Sequence, residues 1–138
     1  MKEPVFLGLD EVIELHHDQM KRYGGPNGIR DIDLLKSAIA MPPVSFGGEY
    51  LHKNLYEMAA AYLFHIVRNH PFIDGNKRTG AVASVVFLIM NGLELTADED
   101  SFEKLVRSVA EGKTHKTSIA KFFKTNTSVN RTKHYSYY

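Results

Sequence analysis

Residues 70–78 read HPFIDGNKR, and long apolar stretches flank them on both sides. Only Pro71, Phe72 and Ile73 among the nine are apolar. Such a segment reads as a loop joining two core helices and ending at the N-terminus of the second. A helix N-terminus presents unpaired backbone N–H groups and the positive end of a dipole, which suits an anion. Gly75 lets a ligand approach the backbone closely. Lys77 and Arg78 put two cations in the first helical turn, where they oppose the dipole and a bound anion would compensate them. Arg78 offers a bidentate fork for phosphate oxygens, and Lys77 a point charge. Asp74 is a carboxylate suited to Mg²⁺, which otherwise keeps water and phosphate oxygens as ligands. Asn76 either binds phosphate or orients the loop. His70 is the side-chain type that exchanges protons near neutral pH, the natural general base. Base, metal carboxylate and anion cradle together describe phosphoryl or nucleotidyl transfer to a hydroxyl.

Each residue alone has a plainer reading. His70 would be an ordinary loop or core histidine, and Asp74 an N-cap for the following helix. Gly75-Asn76 would be a turn, and Lys77 with Arg78 a solvated surface. The joint arrangement between two apolar helices, with both cations at the unfavourable helix end, points to function.

The elements that must position these residues are almost all helical. Val12, Ile13, His16, Met20 and Tyr23 follow a 3.6-residue period, so a first helix starts near residue 8 or 9 and stops at Gly24-Gly25. The sequence GGPNGIRD is a loop by composition. A second helix begins at 31 or 32 and ends at Pro42-Pro43. Residues 44–53 form a glycine-containing loop with exposed aromatics. A third helix spans 54–69, and Pro71 forces His70 out of helical geometry. A fourth runs from 76 or 77 to 90; it is apolar almost all round, as befits the buried centre of a domain. A fifth spans 98–111 and a sixth 117–124. Strand-like alternation is confined to residues 4–9. The expected fold is all-α, a compact bundle of about six helices around a buried central helix. Residues 1–124 make one catalytic domain, and 125–138, without apolar period, read as a flexible C-terminal tail.

The bulk composition narrows the function. The chain has 138 residues, enough for one core without disulfides, and no cysteine, which excludes thiol chemistry and thiolate metal sites. This fits a cytoplasmic protein. The net charge of +1 disfavours direct nucleic-acid binding. The run of lysines and one arginine within 113–133 reads as a solvated face or tail. The start of the chain turns acidic before any apolar run develops, so it does not read as a signal peptide. The apolar stretch 81–90 is far short of the ~20 residues that span a bilayer, so no membrane association is expected.

The stretch HPFIDGNKR resembles, at all nine positions, the signature HPFx(D/E)GN(G/K)R of the Fic/Doc superfamily. The resemblance extends over about residues 6–123. GGPNGIRDIDLLKSAI, NLYEMAAAYLFHIVRNHPFIDGNKRTGA and the short length resemble its death-on-curing (Doc) branch. The resemblance implies ATP and Mg²⁺ as cofactors. His70 would deprotonate the target hydroxyl and Asp74 would hold Mg²⁺. Gly75, Asn76 and the adjoining backbone would cradle phosphates, Arg78 would clamp them, and Phe72 would anchor the loop. Residues 44–53 would be a flap that docks the target segment.

Most Fic adenylyltransferases carry glycine where this chain has Lys77; Doc-type members carry lysine. The long side chain would occupy the β-phosphate pocket and reverse the nucleotide, so that the γ-phosphate moves. The resemblance thus implies the toxin of a toxin–antitoxin pair. It would phosphorylate a Ser/Thr hydroxyl on a protein, elongation factor Tu in the Doc branch, and halt translation. A prevent-host-death-type antitoxin would neutralise it. An adenylyltransferase of the same fold is one alternative and a non-catalytic binding module another; intact His70, Asp74, Asn76 and Arg78 speak against the latter. Gly75 departs from the type Doc protein, which has alanine there. Ser108 and Glu111 are spaced by three residues, not the four of the inhibitory Fic helix. Glu111-Gly112 therefore reads as a helix end, and control as coming from a separate partner.

Overall fold

The computed structural model describes residues 3–130. Six helices follow one another: α1 (Leu9–Tyr23), α2 (Ile32–Ala40), α3 (Leu55–Asn69), α4 (Asn76–Met90), α5 (Glu99–Ala110) and α6 (Lys116–Thr125). Local chemistry sets several starts. Asp31, Asn54 and Asp98 each accept a hydrogen bond from the backbone N–H three residues on, capping α2, α3 and α5. Two short antiparallel pairs complete the fold: β1 (Ser45–Phe46) with β2 (Glu49–Tyr50), and β3 (Leu93–Leu95) with β4 (Thr127–Val129).

The buried central helix is α3. Met58 through Leu63, Ile66 and Val67 are all buried, and α3 packs against α2, α4, α5 and α6. Helix α4, apolar nearly all round in sequence, was the expected centre. It instead turns Thr79, Gly80, Ala83, Ser84, Phe87 and Leu88 inward and leaves Ile89 and Met90 exposed. Small residues explain the choice of face: a Cβ on Gly80 would lie 2.7 Å from Val67 Cγ2 and 3.3 Å from the Leu63 carbonyl. The two helices approach too closely for anything larger.

Residues 4–9 do not form the strand their alternation suggests. Tyr62 Oη accepts from Leu7 N (2.7 Å) and donates to Leu7 O (2.8 Å). Asn91 likewise accepts from Val5 N and donates to Val5 O. Side chains replace the ladder, so the segment stays extended without a partner strand.

The boundary at 124 is also corrected. Leu93 pairs with Val129, Glu94 with Ser128 and Leu95 with Thr127, while Thr96 N donates to Asn126 O and Asn130 N to Gly92 O. Residues 125–130 therefore belong to the fold; residues 131–138 of the expected tail lie outside the described residues.

Candidate active site

The signature loop joins α3 to α4, as its spacing predicts. His70 closes α3 in the left-handed conformation (φ 52°, ψ 53°), the one non-glycine residue with positive φ among those described. Such a conformation persists only where neighbours enforce it. Arg30 enforces it: its Nε donates to His70 O (2.7 Å) and its Nη2 to Asn69 O (3.1 Å). The backbone around Arg30 continues the brace. Arg30 N and Asp31 N both donate to Pro71 O, Ile73 N donates to Gly28 O, and Ile29 forms a β-bridge with Phe72. GGPNGIRD is thus more than a connection, because it backs the signature loop along its length.

The other side of the loop rests on α1. Phe72 is fully buried, and the His16 ring stacks on it with centroids 3.8 Å apart and planes 4° from parallel. His16 Nε2 donates to Asp74 O at 2.8 Å, which fixes its tautomer. Burial holds the His16 ring below the ordinary histidine range, partly offset by the Asp74 carbonyl and carboxylate. Met20 closes the contact. Gly75 sits at φ +81°, and a Cβ there would lie 2.5 Å from Met20 Sδ. This glycine is required by backbone conformation and by α1, before any ligand is considered.

The Asn76 side chain orients the loop. Its Oδ1 accepts from Phe72 N (2.9 Å) and its Nδ2 donates to Phe72 O (3.0 Å), with the side chain buried. The amide thus holds the loop's shape, and the backbone N–H in the first turn of α4 faces no helical acceptor. Asp74 does not cap α4 either: its Oδ1 accepts from the adjacent Gly75 N, and Gly75 is the cap residue.

His70, Asp74, Lys77 and Arg78 are all exposed on the outer side of this braced loop. Helix α4 starts without a side-chain cap and without an acidic residue in its first turn. Its first N–H groups and two cations are therefore available to an anion. Among the described residues no cluster of three or more acidic or histidine side chains could cage a metal. A lone exposed carboxylate beside an anion site does fit Mg²⁺, which takes one or two carboxylates and completes its shell with phosphate oxygens and water. Lys77 and Arg78 open onto a cavity of about 400 Å³ between α4 and α5, lined also by Phe102, Glu103 and Arg107. His70 and Asp74 do not line it. The Arg78 guanidinium lies 4.6 Å from the Tyr23 ring centroid, a cation–π contact that holds it at the rim.

His16, Met20 and Arg30 are the positioning residues that sequence reading missed. The signal was present for one of them: His16 stands between Val12 and Met20 on the buried stripe of α1, where a polar ring needs a partner. Nothing local marks Arg30. Residues 44–53, expected as a flap, form the β1–β2 hairpin with Gly47 and Gly48 at its turn. Helix α5 ends at Ala110 with Gly112 left-handed, as the failed inhibitory spacing suggests. Among the described residues no helix is long and apolar enough to cross a membrane.

A family model described as the Fic/DOC family matches residues 6–88. The chain is 40% identical over 100 residues to Toxin Doc of Mycolicibacterium smegmatis, an overlap covering 71% of this chain and 77% of that protein. It is 32% identical over 111 residues to Protein kinase doc of Escherichia phage P1, covering 80% of this chain and 86% of that one. The chain belongs to the Fic/DOC family.

Proposed function

We propose that this Fic/DOC family member is a Doc-type toxin that transfers the γ-phosphate of ATP to a Ser/Thr hydroxyl of a protein. The observation that carries the reading is Lys77, exposed in the uncapped first turn of α4 beside Arg78. The names Toxin Doc and Protein kinase doc, borne by two relatives, support it.

In this mechanism His70 accepts the proton of the target hydroxyl. The first-turn N–H groups of α4 and the Arg78 guanidinium hold the phosphates, and Lys77 fills the space that a glycine would leave for the β-phosphate. Asp74 holds Mg²⁺, which when bound neutralises charge on the phosphate oxygens. Positioning and charge stabilisation can supply most of such catalysis. On the same reading the target is elongation factor Tu, the site of action is the cytoplasm, the β1–β2 hairpin docks the target segment, and a prevent-host-death-type antitoxin provides control.

ATP labelled separately at the α- and γ-phosphates, incubated with the protein in a bacterial translation extract, tests the proposal. Label reaching protein from the γ position only is the expected result. Transfer from the α position would make the chain an adenylyltransferase. No transfer from either, with nothing lost on changing His70→Ala, would leave a binding module.

A further inference from the structure

Away from the signature loop, Lys116 at the start of α6 meets two imidazoles. Its Nζ lies 3.0 Å from His65 Nε2 and 3.3 Å from His52 Nε2, with the Phe64 ring centroid at 5.9 Å. An ammonium only donates, so each imidazole presents a lone pair and is neutral. Burial, reinforced by the Lys116 charge, pushes His65 down to about 4 and lowers His52 as well; burial also lowers Lys116.

Among the described residues no carboxylate lies within ion-pair distance of Lys116, Lys121 or Lys124. All three line a cavity of about 570 Å³ with Leu51, His52 and Tyr56. Helical spacing brings them together: Lys116 and Lys124 are two turns apart through Ala120, and Lys121 stands beside Lys124. Glu57 is the one carboxylate among the lining residues. Its Oε1 accepts from Lys53 N and its Oε2 from Asn54 Nδ2, so it serves the start of α3. A concave site with three lysines and no committed counter-ion focuses positive potential on whatever enters it.

We propose that this cavity receives an acidic side chain of the protein substrate, anchoring that chain beside the β1–β2 hairpin. The inference rests on the reading that the substrate is a protein. Charge complementarity selects an acidic occupant. Place selects a polypeptide: Leu51 and His52 follow β2 directly, the two-stranded hairpin leaves its outer edges unpaired, and Phe46 is 68% exposed on it. The apolar share of the lining, from Leu51, Tyr56 and Ala120, suits peptide side chains. A polynucleotide would want a longer basic track than a chain of net charge +1 presents here.

The test titrates the full chain with fluorescein-labelled hexaglutamate by anisotropy, with a labelled single-stranded oligonucleotide as the second probe. Lys121→Glu and Lys124→Glu change exposed side chains and spare the core; Lys116→Gln removes the charge between the imidazoles. Each charge reversal should weaken hexaglutamate binding roughly five- to tenfold. It should also raise KM for the protein substrate with KM for ATP unchanged. Equal hexaglutamate binding by all variants, tighter binding of the oligonucleotide, or an unmoved protein-substrate KM would overturn the subsite. Loss of all label transfer in the wild-type chain would overturn the protein-substrate reading, and this subsite's role with it, independently of the binding data.

Discussion

At the scale of single residues, the signature loop divides into groups that hold it and groups that face out. His70 belongs to both, since its carbonyl is held by Arg30 while its side chain is exposed. The division allows a clean test of its role. Asparagine tolerates the left-handed conformation better than most residues, so His70→Asn should abolish phosphate transfer while leaving thermal unfolding within a few degrees of wild type. Transfer assays and calorimetry on one preparation would check both halves. His16 acts one step back. It is buried behind the loop and fixes Phe72 and Asp74 O. His16→Ala should lower kcat about tenfold through misplacement of Asp74, with KM for ATP less affected. Steady-state kinetics over an ATP series would sink the idea by showing unchanged kcat.

At the scale of elements, the N-terminus of α4 is built against two neighbours, and its residues are constrained before catalysis is considered. Asn76→Ala would strand the N–H and C=O of a buried Phe72, at a cost of about 2–3 kcal/mol. Gly75→Ala would force a left-handed alanine into Met20 Sδ. The conformation alone costs about 1–2 kcal/mol, and the contact adds to it. Denaturant unfolding of the two variants should show both losses with unchanged m-values. A Gly75→Ala protein as stable as wild type would mean that α1 shifts to make room. The neighbours in question were legible to different degrees. Caps at Asp31, Asn54 and Asp98, and the stops at Gly24 and Pro42, stand in the local sequence and set helix bounds close to those observed. The brace from Gly28–Asp31 onto Pro71 and Phe72 joins segments some forty residues apart, and local composition carries no record of that pairing.

At the scale of the whole molecule, pH reaches the fold through the histidines packed inside it. His65 has an ordinary value of 6.5 and is pushed to about 4 in the folded chain, by burial first and by Lys116 second. Above pH 6.5 it is neutral both folded and unfolded, and pH has no effect through it. Below that value the unfolded chain takes up the proton first, so stability falls as pH drops from 6.5 towards 4 and levels off beneath. His16 and His52 are lowered by burial and act in the same direction. Melting temperatures across this range should fall on acidification. His65→Gln, which keeps an acceptor for Lys116 but does not titrate, should flatten the curve, and an equally steep curve in that variant would place the effect elsewhere.

The sequence by itself determined the helical class, the order of the six helices, the position of the loop at the head of α4 and the family whose signature it carries. The first three rest on periodicity, capping chemistry and residue spacing, which act within a few turns of chain; the family rests on the resemblance of residues 70–78 to its signature. Tertiary structure decided what those local rules leave open. It placed α3 rather than α4 at the centre, with α4 laying its face of Gly80, Ala83, Ser84, Phe87 and Leu88 closely against it. It paired residues 127–129 with β3, three residues whose partner lies more than thirty positions away. It tied the Asn76 amide to the Phe72 backbone, and it set His16 and Arg30 behind the loop. Each outcome depends on which surfaces meet, and contacts between distant segments are fixed by packing, not by the pattern of either segment alone.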